Sequence, residues 1–121
     1  MTTTTSIVVN GSLVPVTNQL AFTNTPLLAS AAFSSGYFTG DNVGSIAGRV
    51  ESDQSGSLVL QVSDDGTHWD TISTHAVTGG TPAEFTDVTA GGVHRYVYTN
   101  GSTPQTSFRL SAYSQGVRSN V

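Results

Sequence analysis

The densest run of chemistry-bearing residues is Ser63-Asp64-Asp65-Gly66-Thr67-His68-Trp69-Asp70. Hard cations such as calcium want clustered carboxylate oxygens, which makes Asp64, Asp65 and Asp70 candidate ligands. The spacing of a full calcium loop is missing, and the same residues also describe a hairpin turn. In that reading the Asp side chains cap backbone amides, Gly66 takes a positive φ and Trp69 packs beneath. The turn is the preferred reading, and no metal or cofactor is expected. The histidines His68, His75 and His94 do not change this. A zinc site needs three or four converging ligands. His68 and His75 fall at opposite ends of one predicted strand, about 20 Å apart at ~3.3 Å per residue. They are expected to face solvent or to be hydrogen-bonded.

Nucleophilic catalysis has many serines to draw on but no Gly-x-Ser-x-Gly elbow to mark one. A paired-carboxylate glycosidase would have to use Glu51, Glu84 and the aspartates, most of which fall in turns or on a solvated face. No catalytic residue is assigned, and a non-enzymatic protein is expected. The aromatic residues Trp69, Tyr96, Tyr98 and Tyr113 offer a second chemistry, the stacking of sugar rings. Trp69, Tyr96 and Tyr98 are its candidates, against the plainer expectation that they fill a core or a subunit contact. Arg95 and Arg109 are expected to pair across strands with an acidic neighbour such as Asp87. Asn10-Gly11-Ser12 and Asn100-Gly101-Ser102 match the glycosylation sequon but read better as turns. The Ser63–Trp69 run also resembles the Asp-box hairpin of sialidases. It departs from that box in its glycine and threonine positions and occurs once, and since the box is structural in sialidases no activity carries over.

These residues need elements to position them, and composition bounds what those are. The 121 residues amount to one domain. Cysteine is absent, which excludes disulfides, thiolate metal sites and cysteine nucleophiles. Charged residues are 10% of the chain, well under the usual ~25%. Lysine is absent and the net charge is -4, so the chain has no basic face for phosphates or anionic membranes. Neither nucleic acid nor membrane is expected as a partner. The start, Met1 to Ser6, has neither the positive charge nor the apolar core of a Sec signal peptide. Ser, Thr, Gly and Asn take the place of charge. A neutral, hydroxyl-rich surface repels other molecules poorly and suits packing against other subunits.

No window carries a helical apolar stripe over three turns. Strand signals recur instead. Ser6–Val9 and Ser12–Val16 flank Asn10-Gly11, a hairpin turn signal, and Pro15 makes the second run an edge strand or extended arm. Residues 17–26 read as a polar connector. Strands are then expected over 29–38 (bulged at Gly36), 43–52, 57–63, 68–74, 84–88, 93–99 and 106–113, spaced by about 8–12 residues. The expected fold is all-β, an antiparallel β-sandwich or jelly roll of seven to eight strands with an extended N-terminal arm. Residues 1–26 form the arm or ribbon, 27–113 the sandwich and 114–121 a polar tail. Which face of the 93–99 strand is buried stays open, because Val93, Arg95 and Val97 compete with Tyr96 and Tyr98.

From Gly44 to Tyr113 the run Glu51–Leu58, Gln61–Trp69, Arg95–Gly101 and Gln105–Leu110 resembles the small β-sandwich modules of tailed-bacteriophage structural proteins, head decoration (cement) proteins and related virion accessory proteins in particular. This likeness covers a little over half the chain. It implies a non-enzymatic protein of the virion's capsid exterior that clamps the major capsid protein, commonly as a homotrimer, and stabilises the head. The arm, through Ile7, Val8, Val9, Leu13, Val14 and Val16, is then the candidate partner contact. A tail, baseplate or fibre module, with a glycan as ligand, is the alternative.

Overall fold

The computed structural model describes residues 4–9, 12–17, 19–39 and 44–115, the first two stretches as backbone alone. Strands β1 (Thr4–Val9) and β2 (Ser12–Thr17) pair antiparallel, with Val9 opposite Ser12. That register leaves two residues for the turn. Asn10 and Gly11 themselves lie outside the described residues, as do the side chains of Ile7, Val8, Val9, Leu13, Val14 and Val16.

Nine further strands are described: β3 (Gln19–Thr23), β4 (Ala32–Ser34), β5 (Phe38–Thr39), β6 (Ser45–Ser52), β7 (Gly56–Ser63), β8 (Asp70–Val77), β9 (Ala83–Val88), β10 (Val93–Asn100) and β11 (Phe108–Ser114). They form two antiparallel sheets that pack as a sandwich. The first runs β4-β10-β7-β8, with β5 also on β10; the second runs β3-β11-β6-β9. The all-β sandwich expected from the strand spacing is therefore the fold.

Alternation builds the core. Ile46 and Val50 of β6, Leu58 and Leu60 of β7, and Phe108, Leu110 and Ala112 of β11 are all buried. Successive side chains of a strand point to opposite faces, so a period of two in the sequence places these on the inner face. Burying a Leu or Ile side chain is worth about 1.5–3 kcal/mol each. In β10 the tyrosines win the inner face: His94, Tyr96, Tyr98 and Asn100 are buried, while Arg95 turns outward. Aromatic rings carry more apolar area than valine, so burying them releases more water.

Four readings of local structure are corrected. Gln19–Thr23, placed in a connector, is strand β3 and hydrogen-bonds along β11. Polar Gln19 and Thr23 hide this signal, yet Ala21 is buried between them. The sandwich therefore begins eight residues earlier than residue 27. The expected 29–38 strand is two short strands, separated at Ser35-Gly36-Tyr37. Buried Ser35 breaks the run by accepting the Tyr96 N–H on its hydroxyl at 2.9 Å. The 68–74 strand starts at Asp70 and runs on to Val77, with His68 left in the turn. At the C-terminus Ser114, assigned to the tail, closes β11. Residues 116–121 lie outside the described residues.

One irregularity shapes the surface. Leu60 faces Ser73 and Gln61 faces Thr71, so Ile72 is an extra residue on β8. The bulge resets the alternation. Thr71 joins Gln61 on the outer face, while Ser73 and His75 point inward.

Candidate functional site

The Ser63–Asp70 segment folds as a tight turn. Ser63 Oγ accepts the N–H groups of Asp65 and Gly66, and Asp65 Oδ1 accepts those of Thr67 and His68, both at 2.8 Å. Gly66 has φ 79°, a left-handed conformation that a side chain would strain. Asp65 Oδ2 also meets His68 Nδ1 at 2.7 Å. The His68 N–H, the His68 ring and the Thr67 N–H together hold the Asp65 carboxyl far below the usual carboxylate range. Asp65 is thus committed to the turn. Among the described residues no three His, Asp or Glu side chains converge as metal ligands do. Trp69, expected beneath this turn, lies elsewhere.

Trp69 packs on the outer face of the first sheet. Its ring meets Tyr37 with centroids 5.4 Å apart and planes tilted by 36°. The Arg95 guanidinium sits 4.1 Å from the Trp69 ring centroid, a cation–π distance. Arg95 Nε donates to Gln61 Oε1 at 2.8 Å, and Gln61 Nε2 donates to Thr71 Oγ1 at 3.3 Å. β10, β7 and β8 lie side by side, so Arg95, Gln61 and Thr71 form one row across the sheet. Trp69 and Tyr37 stand at its end, and Tyr37 is 67% exposed. This stacked and hydrogen-bonded row is the candidate site.

The structure divides the glycan-stacking candidates. Trp69 is in the site. Tyr96 and Tyr98 are not, because both are wholly buried and neither can meet a ligand. Tyr96 packs on Phe85 and Phe38, and Tyr98 on Phe108. Sequence reasoning missed Tyr37, which sits in the break between β4 and β5. The one available signal was its place beside Gly36, where the strand pattern stops. The expected Arg95–Asp87 pair does not form. Arg95 faces outward, and Asp87 lies inside. Arg109 pairs instead with Glu51, its register partner, and Arg49 with Glu84 at 3.3 Å.

Asp87 of β9 is the hub of a polar cluster between the sheets, in which Asp87 and Tyr96 are buried and Ser73 and His75 half-buried. Its carboxylate accepts from Ser73 Oγ, from Tyr96 Oη at 2.7 Å and meets His75 Nε2 at 2.9 Å. Burial, joined by the Asp87 carboxylate, pushes the Tyr96 phenol far above its ordinary range. Ser73, His75 and Asp87 have the residue types of a catalytic triad but not its wiring. A triad uses both ring nitrogens in series, one toward the serine and one toward the aspartate. Here His75 Nε2 faces both Ser73 and Asp87, and Ser73 also donates straight to the carboxylate. The arrangement is a clasp between β8 and β9. It floors an open hollow of about 550 Å³, flanked by exposed Ile72 and Val88.

A second clasp ties the loops at one end. Asp53 accepts the Thr106 hydroxyl at 2.8 Å and the Thr106 and Ser107 N–H groups at 3.0 and 3.1 Å. These bonds, the Thr106 hydroxyl foremost, lower the Asp53 carboxyl to about 2.

With this geometry in place, comparison with known proteins adds a family. The family described as "Uncharacterised protein YqxG N-terminal domain" matches residues 9–115. The chain belongs to it. No curated protein matches. Among solved structures, this YqxG-type domain is similar to the PBSX exported protein XepA, with a TM-score of 0.75 and 24% identity over 92% of the chain. The chain spans 43% of XepA's length. It also shares its fold with the Yersinia pseudotuberculosis-derived mitogen, at a TM-score of 0.56 and 14% identity over 84% of this chain and 90% of that one. PirA gives 0.57 and 14% over 78% and 93%.

Proposed function

We propose that the chain is a non-enzymatic structural and binding module of a phage-encoded particle, acting through its sheet faces, with capsid decoration as its specific role. The observation that carries this reading is the commitment of Ser73, His75 and Asp87 to a clasp between the sheets. The inward-facing groups best equipped for chemistry are thereby spent on architecture, and the sheet faces remain to do the work. The likeness of Gly44–Tyr113 to phage cement modules and the fold shared with an exported protein support the same reading. The proposed partner is the major capsid protein, the proposed location the outside of the virion, and the proposed assembly a homotrimer. Weak contacts repeated over a lattice add up to large avidity, which suits a module with so little charge.

Copy number in purified particles tests it. Quantitative mass spectrometry against the major capsid protein is expected to find hundreds of copies in a simple ratio. A few tens would move the module to the tail, and absence from the particle would overturn the structural reading.

A further inference from the structure

We propose that the row of Tyr37, Trp69, Arg95, Gln61 and Thr71 is a binding site for an acidic glycan, with Tyr37 as the stacking surface for a sugar ring and Arg95 as the contact to its carboxylate. The site is independent of where on a particle the module sits. Tyr37 offers an exposed ring already braced by Trp69, which is braced in turn by the Arg95 guanidinium. Side chains fixed in advance lose little entropy when a ligand arrives. Among the described residues Arg49 and Arg109 each have a carboxylate partner, while no ion pair holds Arg95. Its Nε is engaged by neutral Gln61, which leaves the rest of a planar fork whose geometry matches a carboxylate. The Asp65 carboxylate is turned to the His68 ring and to the N–H groups of Thr67 and His68. Gln61 is itself oriented by Thr71, and the bulge at Ile72 is what brings Thr71 into the row. Protein interfaces share the enrichment in aromatic residues and arginine, but their centres are more apolar than the rest of the surface, so the neighbours of Tyr37 decide. Here the exposed tyrosine is bordered by an arginine, a glutamine and a threonine, groups that serve ring hydroxyls and a carboxylate better.

The test is binding of the full chain to an array of uronate-bearing, sialylated and neutral oligosaccharides, followed by titration calorimetry with the best acidic glycan and its neutral counterpart. An acidic glycan is expected to bind at least tenfold more tightly than the neutral one. Arg95→Gln is expected to abolish that preference, and Tyr37→Ala to weaken both by tenfold or more. Circular dichroism should be unchanged in both variants, since each alters an outward-facing residue. Failure of every acidic glycan to bind would overturn the proposal, as would equal binding of acidic and neutral forms or binding that survives both substitutions. Loss of particle binding in Tyr37→Ala with no glycan retained by the wild type would also overturn it, and would make this face a protein contact.

Discussion

At the residue scale, the buried polar side chains hold the molecule's sharpest sensitivities. Asp87 satisfies Ser73, His75 and Tyr96 at once. Asp87→Ala leaves Ser73 and His75 only each other and strips the wholly buried Tyr96 hydroxyl of its acceptor, and an unpaired buried group bears its full desolvation cost. A loss of about 3 kcal/mol is expected, read as a lowered urea midpoint with unchanged slope. His94 makes a different prediction. Its Nε2 accepts the Ala90 N–H at 3.1 Å, and its ring stacks on Phe38. Burial lowers its pKa, outweighing the backbone groups of Gly92 and Phe38 that favour the proton. The unfolded chain therefore takes up a proton here before the native one does. The His94 contribution to stability is complete above the unfolded value of about 6.5, and is lost as pH falls below it toward the folded value. Urea midpoints measured from pH 7.5 to 5 should decline, and His94→Gln should flatten that decline. Asp53 acts further down the scale. Its stabilisation is present above about 3.8, and is lost as pH falls through its folded value of about 2.

At the element scale, the sequence was legible wherever one face of a strand was uniformly apolar. Leu58-x-Leu60, Phe108-x-Leu110-x-Ala112 and Ile46-x-x-x-Val50 all announce their inner faces, and each is buried as its period requires. Legibility failed where a strand's buried side is small or polar. β3 buries Ala21 between half-exposed neighbours and leaves Phe22 outside, so its pattern reads as connector. The site failed for a related reason. Composition marks Trp69 and the tyrosines alike, but only pairing between sheets decides that Tyr96 is inside and Tyr37 outside. Gly48 of β6 illustrates a constraint that no pattern announces. A Cβ there would collide with the Phe85 ring and the Ser111 carbonyl. Gly48→Ala is expected to cost about 1–3 kcal/mol, the range for overpacking a well-filled core, and thermal unfolding would detect it. The inner face of β6 thus depends on an absent side chain as much as on Ile46 and Val50.

At the scale of the whole molecule, the assignment of β3 to the second sheet changes where the chain can be cut. The β1–β2 hairpin closes its ladder on itself, whereas β3 shares its ladder with β11. Removal of residues 1–18 is expected to leave a cooperatively folding sandwich. Removal of residues 1–24 strips β3 from β11 and uncovers one side of the second sheet. Its urea midpoint should fall well below that of the shorter truncation. The two truncations also separate the arm's proposed role in particle binding from its neighbour's role in the fold. If the shorter form decorates particles as fully as the intact chain, the arm is not the partner contact.

The bulge at Ile72 reaches further than the site it shapes. Among the described residues β8 ends its sheet, so one side of its backbone has no neighbouring strand in the ladder. Proteins that must stay soluble usually guard such an edge with lysine or proline, and this strand, Asp70–Val77, has neither. Its protection is a kink. The extra residue breaks the flat spacing that an incoming strand would need over eight residues. Deleting Ile72 would straighten that edge, and the expected result is concentration-dependent aggregation measurable by light scattering. On the proposed role, which crowds many copies onto one lattice, a single surplus residue would then set the line between ordered array and precipitate.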